Sequence, residues 1–401
     1  MQLLPYLEAG ATRIPLSTSY YLGSIAALIY AQNVLAGVKP TTMSTSVKRI
    51  LATPLILTDL LFPVFVRDGA NSWNLLGATI PFMAFLRFLD LFWVAPMVQG
   101  VEAFATQRYL HEEFWSCLRK FPKTKEEEEK YVKDKKFYHI IPHYLIHAII
   151  SDIINTWFKT FTEEELLSTY TKNPIFFFGY FCMVLASMCA GFNANGYLLR
   201  FIYVLIYEKG SYCSAQWRRL MEFPLCATSL GDIWSFRWHQ ALKPTWRNLP
   251  FAEVRILSER VFRKCGIKSF KRLGIMAAAL SVFMISGVLH EYLVYVNAGL
   301  KEYRLLRGEE MAFFTIHGVA VMVEKFVSKA CGNQPWTKSQ LVMILRRVWT
   351  LGFACLTIPL FLRGFMVINS WYSGAFTPFE PQILGIMHQI PGMHRLCGSL
   401  F

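Results

Sequence analysis

His290 and Glu291 interrupt the run "AAALSVFMISGVLHEYLVYV", in which every other residue is apolar, aromatic or small. An ionisable side chain in a hydrocarbon-length segment costs a few kcal/mol to insert, so its presence there points to chemistry. Imidazole suits general-base catalysis near neutral pH. On a helix, Ser286 and Gly287 fall at i−4 and i−3 from His290 and share its face, which predicts a hollow beside the ring that a thin substrate arm could enter. The bland alternative for His290 is a packing histidine bonded to a neighbouring helix, and for Glu291 a partner for an arginine. "HEYLV" lacks the second histidine of HExxH, and the GxSxG, Walker and GxGxxG patterns are absent, so no zinc-peptidase, serine-hydrolase or dinucleotide reading survives.

A second polar cluster lies upstream, in "SLGDIWSFRWHQ", Ser229 to Gln240. Ser229 followed by Asp232 has the spacing of a helix N-cap, which predicts a helix through Gln240 with Asp232, Ser235 and His239 on one face. Trp234 and Trp238, one turn apart, would wedge that face between apolar neighbours while His239 points into a polar cavity. An interfacial helix with an aromatic anchor would show the same residues. His317, in "FFTIHGVAV", has no partner motif and divides evenly between packing and function. His111, His139, His143 and His147 read as interfacial residues without a catalytic role.

The elements that must hold these residues are set by composition. The chain has 401 residues, 54% hydrophobic and 15% aromatic with 17% charged, too apolar for an ordinary soluble domain. A bilayer core needs about 20 apolar residues in helix. The runs Tyr20 to Val38, Leu51 to Val66, Leu75 to Met97, Pro174 to Ala190, Gly196 to Tyr207, Leu273 to Val296, Met311 to Val327 and Val348 to Leu362 approach that length. The expectation is an all-α polytopic membrane protein of about eight spans, one domain over residues 1–401, enclosing an intramembrane reaction chamber. The opening "MQLLPYLEAGATRIPLSTSYY" lacks a basic region leading into a short apolar core, so no cleaved signal peptide is expected. The nine cysteines form no CxxC pair, which predicts free thiols and no metal site.

A formal charge of +14 fits nucleic acid, anionic lipid or a polyanionic small molecule, and so many spans exclude the first. Leu118 to Lys136 and Lys243 to Arg272 are strongly basic and are expected in the cytoplasm. An even number of crossings must then separate them. Pro174 to Ala190 and Gly196 to Tyr207 supply two, leaving His139 to Phe158 as an amphipathic segment that does not span. Lys39, Lys48, Arg49, Lys329, Lys338, Arg346 and Arg347 fall on the same cytoplasmic side, and "KEYRLLRGEE" opposite. His290 lies about 25 Å of helix beyond Leu273, past the midplane of a bilayer entered there.

An "SLxDFWGRRWHQ"-like segment followed some fifty residues on by an apolar helix with "SGxxHE" resembles the wax synthase branch of the membrane-bound O-acyltransferase superfamily, best over Ser229 to Glu324. The resemblance implies His290 as catalytic base and His239 as the upstream motif histidine, with Asp232, Trp234, Arg237 and Trp238 matching the motif. Ser235 and Phe236 stand where the pattern has glycine and arginine, so one basic residue of the pattern is missing. The "RWHQ" and "GVLHEYLVY" wording is similar to fungal enzymes that acetylate terpenoid and meroterpenoid hydroxyls. That likeness implies acetyl-CoA as co-substrate with no bound cofactor, a terpenoid alcohol as acceptor, and a multi-pass location in the endoplasmic reticulum. The basic stretch, with Arg247, Lys264 and Lys268, would draw the CoA polyanion, while the apolar alcohol arrives through the bilayer. Alternatives are a wax ester synthase acting on long-chain alcohols with fatty acyl-CoA, and a transporter using His290, Glu291 and His317 as a path. A transporter would be expected to show paired interrupted spans in two related halves, which the sequence lacks.

Overall fold

Apolar runs denied water by hydrocarbon can satisfy their backbone groups only in helices or closed barrels, and the computed structural model of the chain is a set of long helices. It describes residues 13–332, 339–368 and 377–401; Lys338 and the first part of the opening segment lie outside them. The helices used below are α1 (Thr18–Gly37), α2 (Thr45–Phe65), α3 (Asn74–Leu89), α4 (Ile140–Phe158), α5 (Pro174–Tyr207), α6 (Glu253–Lys264), α7 (Phe270–Ala298), α8 (Glu309–Cys331), α9 (Gln340–Val367) and α10 (Glu380–Gln389). Strands are minor: β1 (Ile14–Leu16) pairs parallel with β2 (Val66–Asp68), and β3 (Lys135–Lys136) antiparallel with β4 (Ser211–Tyr212).

Six helical stretches among the described residues are long and apolar enough to cross a membrane: Asn74–Gln99, Phe137–Phe158, Pro174–Tyr207, Phe270–Ala298, Leu300–Cys331 and Gln340–Val367. Three differences separate these six from the eight expected runs. Gln32 and Asn33 in α1, and Lys48, Arg49 and Asp59 in α2, dilute the apolar character of two real helices; Gln32 Nε2 donates to Asp59 Oδ2 at 2.6 Å between them. Pro174 to Ala190 and Gly196 to Tyr207 are one continuous 34-residue helix, α5. The polar residues between them do not break it, because Asn195 Nδ2 turns back to the Gly191 carbonyl at 3.0 Å and Asn193 finds a partner outside the helix. At about 1.5 Å per residue α5 is some 51 Å long, more than one bilayer core. His139 to Phe158, expected to lie on the membrane or inside the protein without spanning, falls within Phe137–Phe158, one of the six. One crossing by each of these two helices keeps the even count between the basic stretches.

Contacts divide the chain into two compact units, each assembled from separated segments. The first comprises Met1–Phe114, Leu242–Val323 and Leu360–Gly374; the second, Trp115–Ala241, Glu324–Pro359 and Ala375–Phe401. In the first, Ala78, Phe82 and Leu86 of α3 form a core with Leu289, Leu293 and Val296 of α7. Helix association in lipid depends on close packing through small residues, and three glycines provide it here. A Cβ on Gly287 of α7 would lie 3.0 Å from Met311 Cα, and one on Gly318 of α8 would lie 3.0 Å from Phe283 of α7. One on Gly364 of α9 would lie 2.8 Å from Val294 of α7. In the second unit, α4 and α5 pack together. Asp152 of α4 accepts the Phe379 amide at 3.0 Å, and Lys159 Nζ pairs with Glu380 at 2.7 Å, which ties α10 to α4.

Replacing Gly287 with alanine should force α8 away from α7 and cost about 1–3 kcal/mol, the usual range for overpacking. The thermal unfolding midpoint of the detergent-solubilised protein is expected to fall, while Gly179→Ala, with nothing within 4 Å of the added methyl, should not lower it.

Candidate functional site

The chemistry-bearing residues fall in both units. In the first, α7 carries His290, and the glycine-mediated crossings set rings from two other helices around it. Phe314 of α8 stacks on the imidazole with centroids 4.7 Å apart and an interplanar angle of 15°. Phe361 and Phe365 of α9 approach its edges at 5.1 and 5.5 Å. The imidazole is partly exposed, with Nδ1 buried. Three phenylalanines fix the plane of the ring, so its nitrogens have defined directions.

Glu291 points elsewhere. Its Oε1 accepts the amides of Gly308 at 2.9 Å and Met311 at 3.1 Å, satisfying donors at the start of α8 that have no partner within the helix. It caps α8 and does not pair with an arginine through this oxygen. The hollow expected beside His290 is corrected at Gly287, which is buried and faces the backbone and sulfur of Met311. The small residue serves helix approach, so any opening lies at another edge of the ring. Ser286 is partly buried. His317 is fully buried beside Gly318, with Phe313 4.4 Å from its ring.

Depth is less of an obstacle than a count from Leu273 suggests. α7 has 29 residues, about 43 Å, so it exceeds a hydrocarbon core of roughly 30 Å. Its first turns are flanked by basic α6, whose Glu259 and Arg255 carbonyl lie against Gly274. Counted from the other end, His290 is about 12 Å before Ala298, near mid-depth for a bilayer edge at that residue.

In the second unit the helix predicted through Gln240 stops early. Ser229 Oγ does accept the Asp232 amide at 2.9 Å, the expected N-cap. A π turn over Ile233–Arg237 follows, closed by Trp238 N to Ile233 O at 2.7 Å, and Trp238 is then extended. Asp232, Ser235 and His239 therefore do not share a helical face. Asp232 Oδ2 instead accepts Arg237 Nε at 2.7 Å, and Arg237 Nη1 reaches the Phe223 carbonyl at 3.1 Å. Trp234 and Trp238 still meet, with centroids 5.2 Å apart. His239 lies flat on Phe192 of α5, centroids 4.4 Å apart at 15°. Its Nδ1 is buried and has no hydrogen-bond partner among the described residues. Burial pushes this imidazole down to about 4.

Two residues that sequence reasoning missed hold this segment. Asn193 of α5 grips the main chain of Met221, with Nδ2 donating to the carbonyl at 2.8 Å and Oδ1 accepting the amide at 3.1 Å. The neighbouring Leu220 carbonyl accepts the Gln240 amide at 2.7 Å. Glu324 accepts the Leu230 and Gly231 amides at 2.9 and 3.0 Å and Trp349 Nε1 at 2.9 Å. A carboxylate in an otherwise apolar stretch was a signal for Glu324. Asn193 gave none, because it was read as part of a break.

Arg247, Lys264 and Lys268 are all exposed, as are Arg255, Arg260, Arg263, Lys271 and Arg272 around them. Among the described residues no group of three or more histidine, cysteine or acidic side chains could hold a metal ion.

Residues 217–316 match the family model described as "Membrane bound O-acyl transferase family", and this range contains both His239 and His290. The chain is 28% identical over 135 residues to the long-chain-alcohol O-fatty-acyltransferase of Simmondsia chinensis, covering 33% of this chain and 34% of that relative. It is 29% identical over 134 residues to an Arabidopsis thaliana protein named "Probable long-chain-alcohol O-fatty-acyltransferase 3", covering 33% and 35%. The chain thus spans about a third of the length of these curated relatives.

Because the folded chain binds the His239 proton more weakly than the unfolded chain, its stability is fully present above the ordinary imidazole value of 6.5 and declines as pH falls toward 4. Unfolding midpoints followed across that interval should drop, and His239→Gln should flatten that part of the profile.

Proposed function

We propose that the chain is an acyl-CoA-dependent O-acyltransferase and that residues 1–401 act as one catalytic domain of the membrane-bound O-acyltransferase type. The observation that carries this reading is His290, held in a phenylalanine box on a membrane-length helix and lying within the segment that matches the family model. Each compact unit is woven from separated segments, which suits a single domain better than two tandem ones.

In the reaction the hydroxyl oxygen of the alcohol attacks the thioester carbonyl while His290 takes its proton. Nδ1 is buried, so the proton is assigned to Nε2. Collapse of the tetrahedral intermediate forms the ester bond and breaks the carbon–sulfur bond, and the imidazolium returns the proton to the departing thiolate. Stacking on Phe314 holds the ring in one plane, so little orientational freedom is lost on reaching the transition state. His239, the other histidine within the segment that matches the family model, is assigned a supporting polar role in acyl transfer, its ring kept neutral by burial. Charge developing on the carbonyl oxygen needs a prearranged donor. The exposed cations of α6 and the segment after it attract the phosphates of CoA, and the apolar alcohol enters from lipid.

The names of the similar proteins favour a long-chain alcohol and a fatty acyl donor. Acetylation of a terpenoid, the expectation drawn from the fungal likeness, finds no support in those comparisons. The protein is assigned to a multi-pass location in microsomal membrane.

Microsomes containing the chain should esterify a long-chain alcohol with palmitoyl-CoA, faster than they acetylate sterol or terpenoid alcohols with acetyl-CoA. His290→Ala is expected to lower the rate by about 10²- to 10⁴-fold, the contribution of a positioned base. Unchanged turnover by that variant would remove His290 from this role, and no ester from any donor and alcohol would favour the transporter.

A further inference from the structure

Two histidines of α4 that acyl transfer leaves unused, His143 and His147, are part of a cluster. Both pack on Tyr197 of α5, with centroids 5.3 and 5.2 Å from its ring. Lys135 pairs with Tyr212 across the β3–β4 ladder, and Lys135, His147, Arg200 and Arg219 each act on His143 through their charge. Arg200 is held in place by aromatic rings, its guanidinium 4.4 Å from Tyr212 and 5.2 Å from Trp217, and its buried Nε has no hydrogen-bond partner among the described residues. The carboxylates nearby are engaged elsewhere. Asp134 accepts the Ser214 amide at 2.6 Å, and Glu208 pairs with Arg119 at 2.7 Å. Glu222 stands 3.8 Å from Arg219. Lys135, His143 and Arg219 are exposed.

Along the helix from this cationic corner, α4 turns Ile141, Leu145, Ile146, Ile149, Ile150 and Ile153 outward. Cations at one end of an exposed apolar face match a phosphate headgroup with hydrocarbon chains below it. We propose that this corner of the second unit binds an anionic phospholipid. The phosphate lies among Lys135, His143, Arg200 and Arg219, and the acyl chains run along the outward face of α4. A soluble phosphate compound would use the same cations but has no need of the isoleucine face. The site is independent of the acyl-transfer reading, because its test reads binding and not turnover.

The test uses the full chain in phosphatidylcholine nanodiscs, titrated with fluorescently labelled phosphatidic acid. Lys135→Gln combined with Arg219→Gln changes two exposed side chains and should leave the fold intact. It is expected to weaken binding about fivefold for each charge removed. Arg200→Lys, which keeps the charge, should bind close to the unmodified protein, and Arg200→Gln should not. Equal binding by the double variant would overturn the proposal. So would displacement of the labelled lipid by coenzyme A or inorganic phosphate, which would reassign the corner to a soluble phosphate.

Discussion

The close crossing of α7 and α8 at Gly287 and Met311 is the constraint on which the His290 site depends. A polar ring among hydrocarbon side chains has few hydrogen bonds to orient it, so its direction must come from shape. With no Cβ on Gly287, the α8 backbone comes near enough for Phe314 to lie flat on the imidazole, and Gly364 brings α9 near enough for Phe361 and Phe365 to meet its edges. Glu291 completes the arrangement by capping the first turn of α8, which fixes where that helix begins. Two adjacent residues of the motif thus divide the work. The histidine lies among the phenylalanine rings, and the glutamate holds the neighbouring helix that supplies one of them.

The second unit uses the opposite device. Residues 220–240 are not a regular helix, so their backbone groups cannot satisfy one another in sequence and must find side chains. Asn193 takes both main-chain groups of Met221, Glu324 takes two amides at the start of the motif, and Arg237 closes the π turn through Asp232. Each partner is polar and comes from a helix or from the motif itself, which explains polar residues inside spans that would otherwise look like errors in an apolar pattern. The π turn re-aims the chain after Arg237, and Trp238 leaves in extended conformation so that His239 can lie on Phe192.

Most of the membrane-length helices were legible because hydropathy reports on them directly; Phe137–Phe158 was not, because its histidines, Asp152 and Asn155 made it read as amphipathic. The Ser229 cap was legible from spacing alone. The break assigned near Asn193 was not real: an asparagine can bond its own helix or reach another segment, and sequence does not say which. Gly287 was taken for space when it marks contact, an ambiguity inherent in a missing side chain. The phenylalanine box was invisible because its rings come from α8 and α9, far along the chain from His290, and apolar helices are rich in phenylalanine everywhere. The π turn was invisible for a related reason, since its extra residue is accommodated by an ion pair between Asp232 and Arg237 that local propensity does not encode.

Both motif histidines lie flat against a phenylalanine, His290 on Phe314 and His239 on Phe192, each with an interplanar angle of 15°. Stacking restrains a ring against tipping through its face, whereas a hydrogen bond to a carboxylate would fix the ring by occupying one of its nitrogens. Each ring is thereby held in a fixed plane within its own unit. The neutral form of each ring also carries one donor and one acceptor, so it can exchange a proton or hold a carbonyl oxygen without a counter-ion beside it. In an apolar framework of membrane-length helices, such stacking keeps a polar ring in one orientation by shape alone.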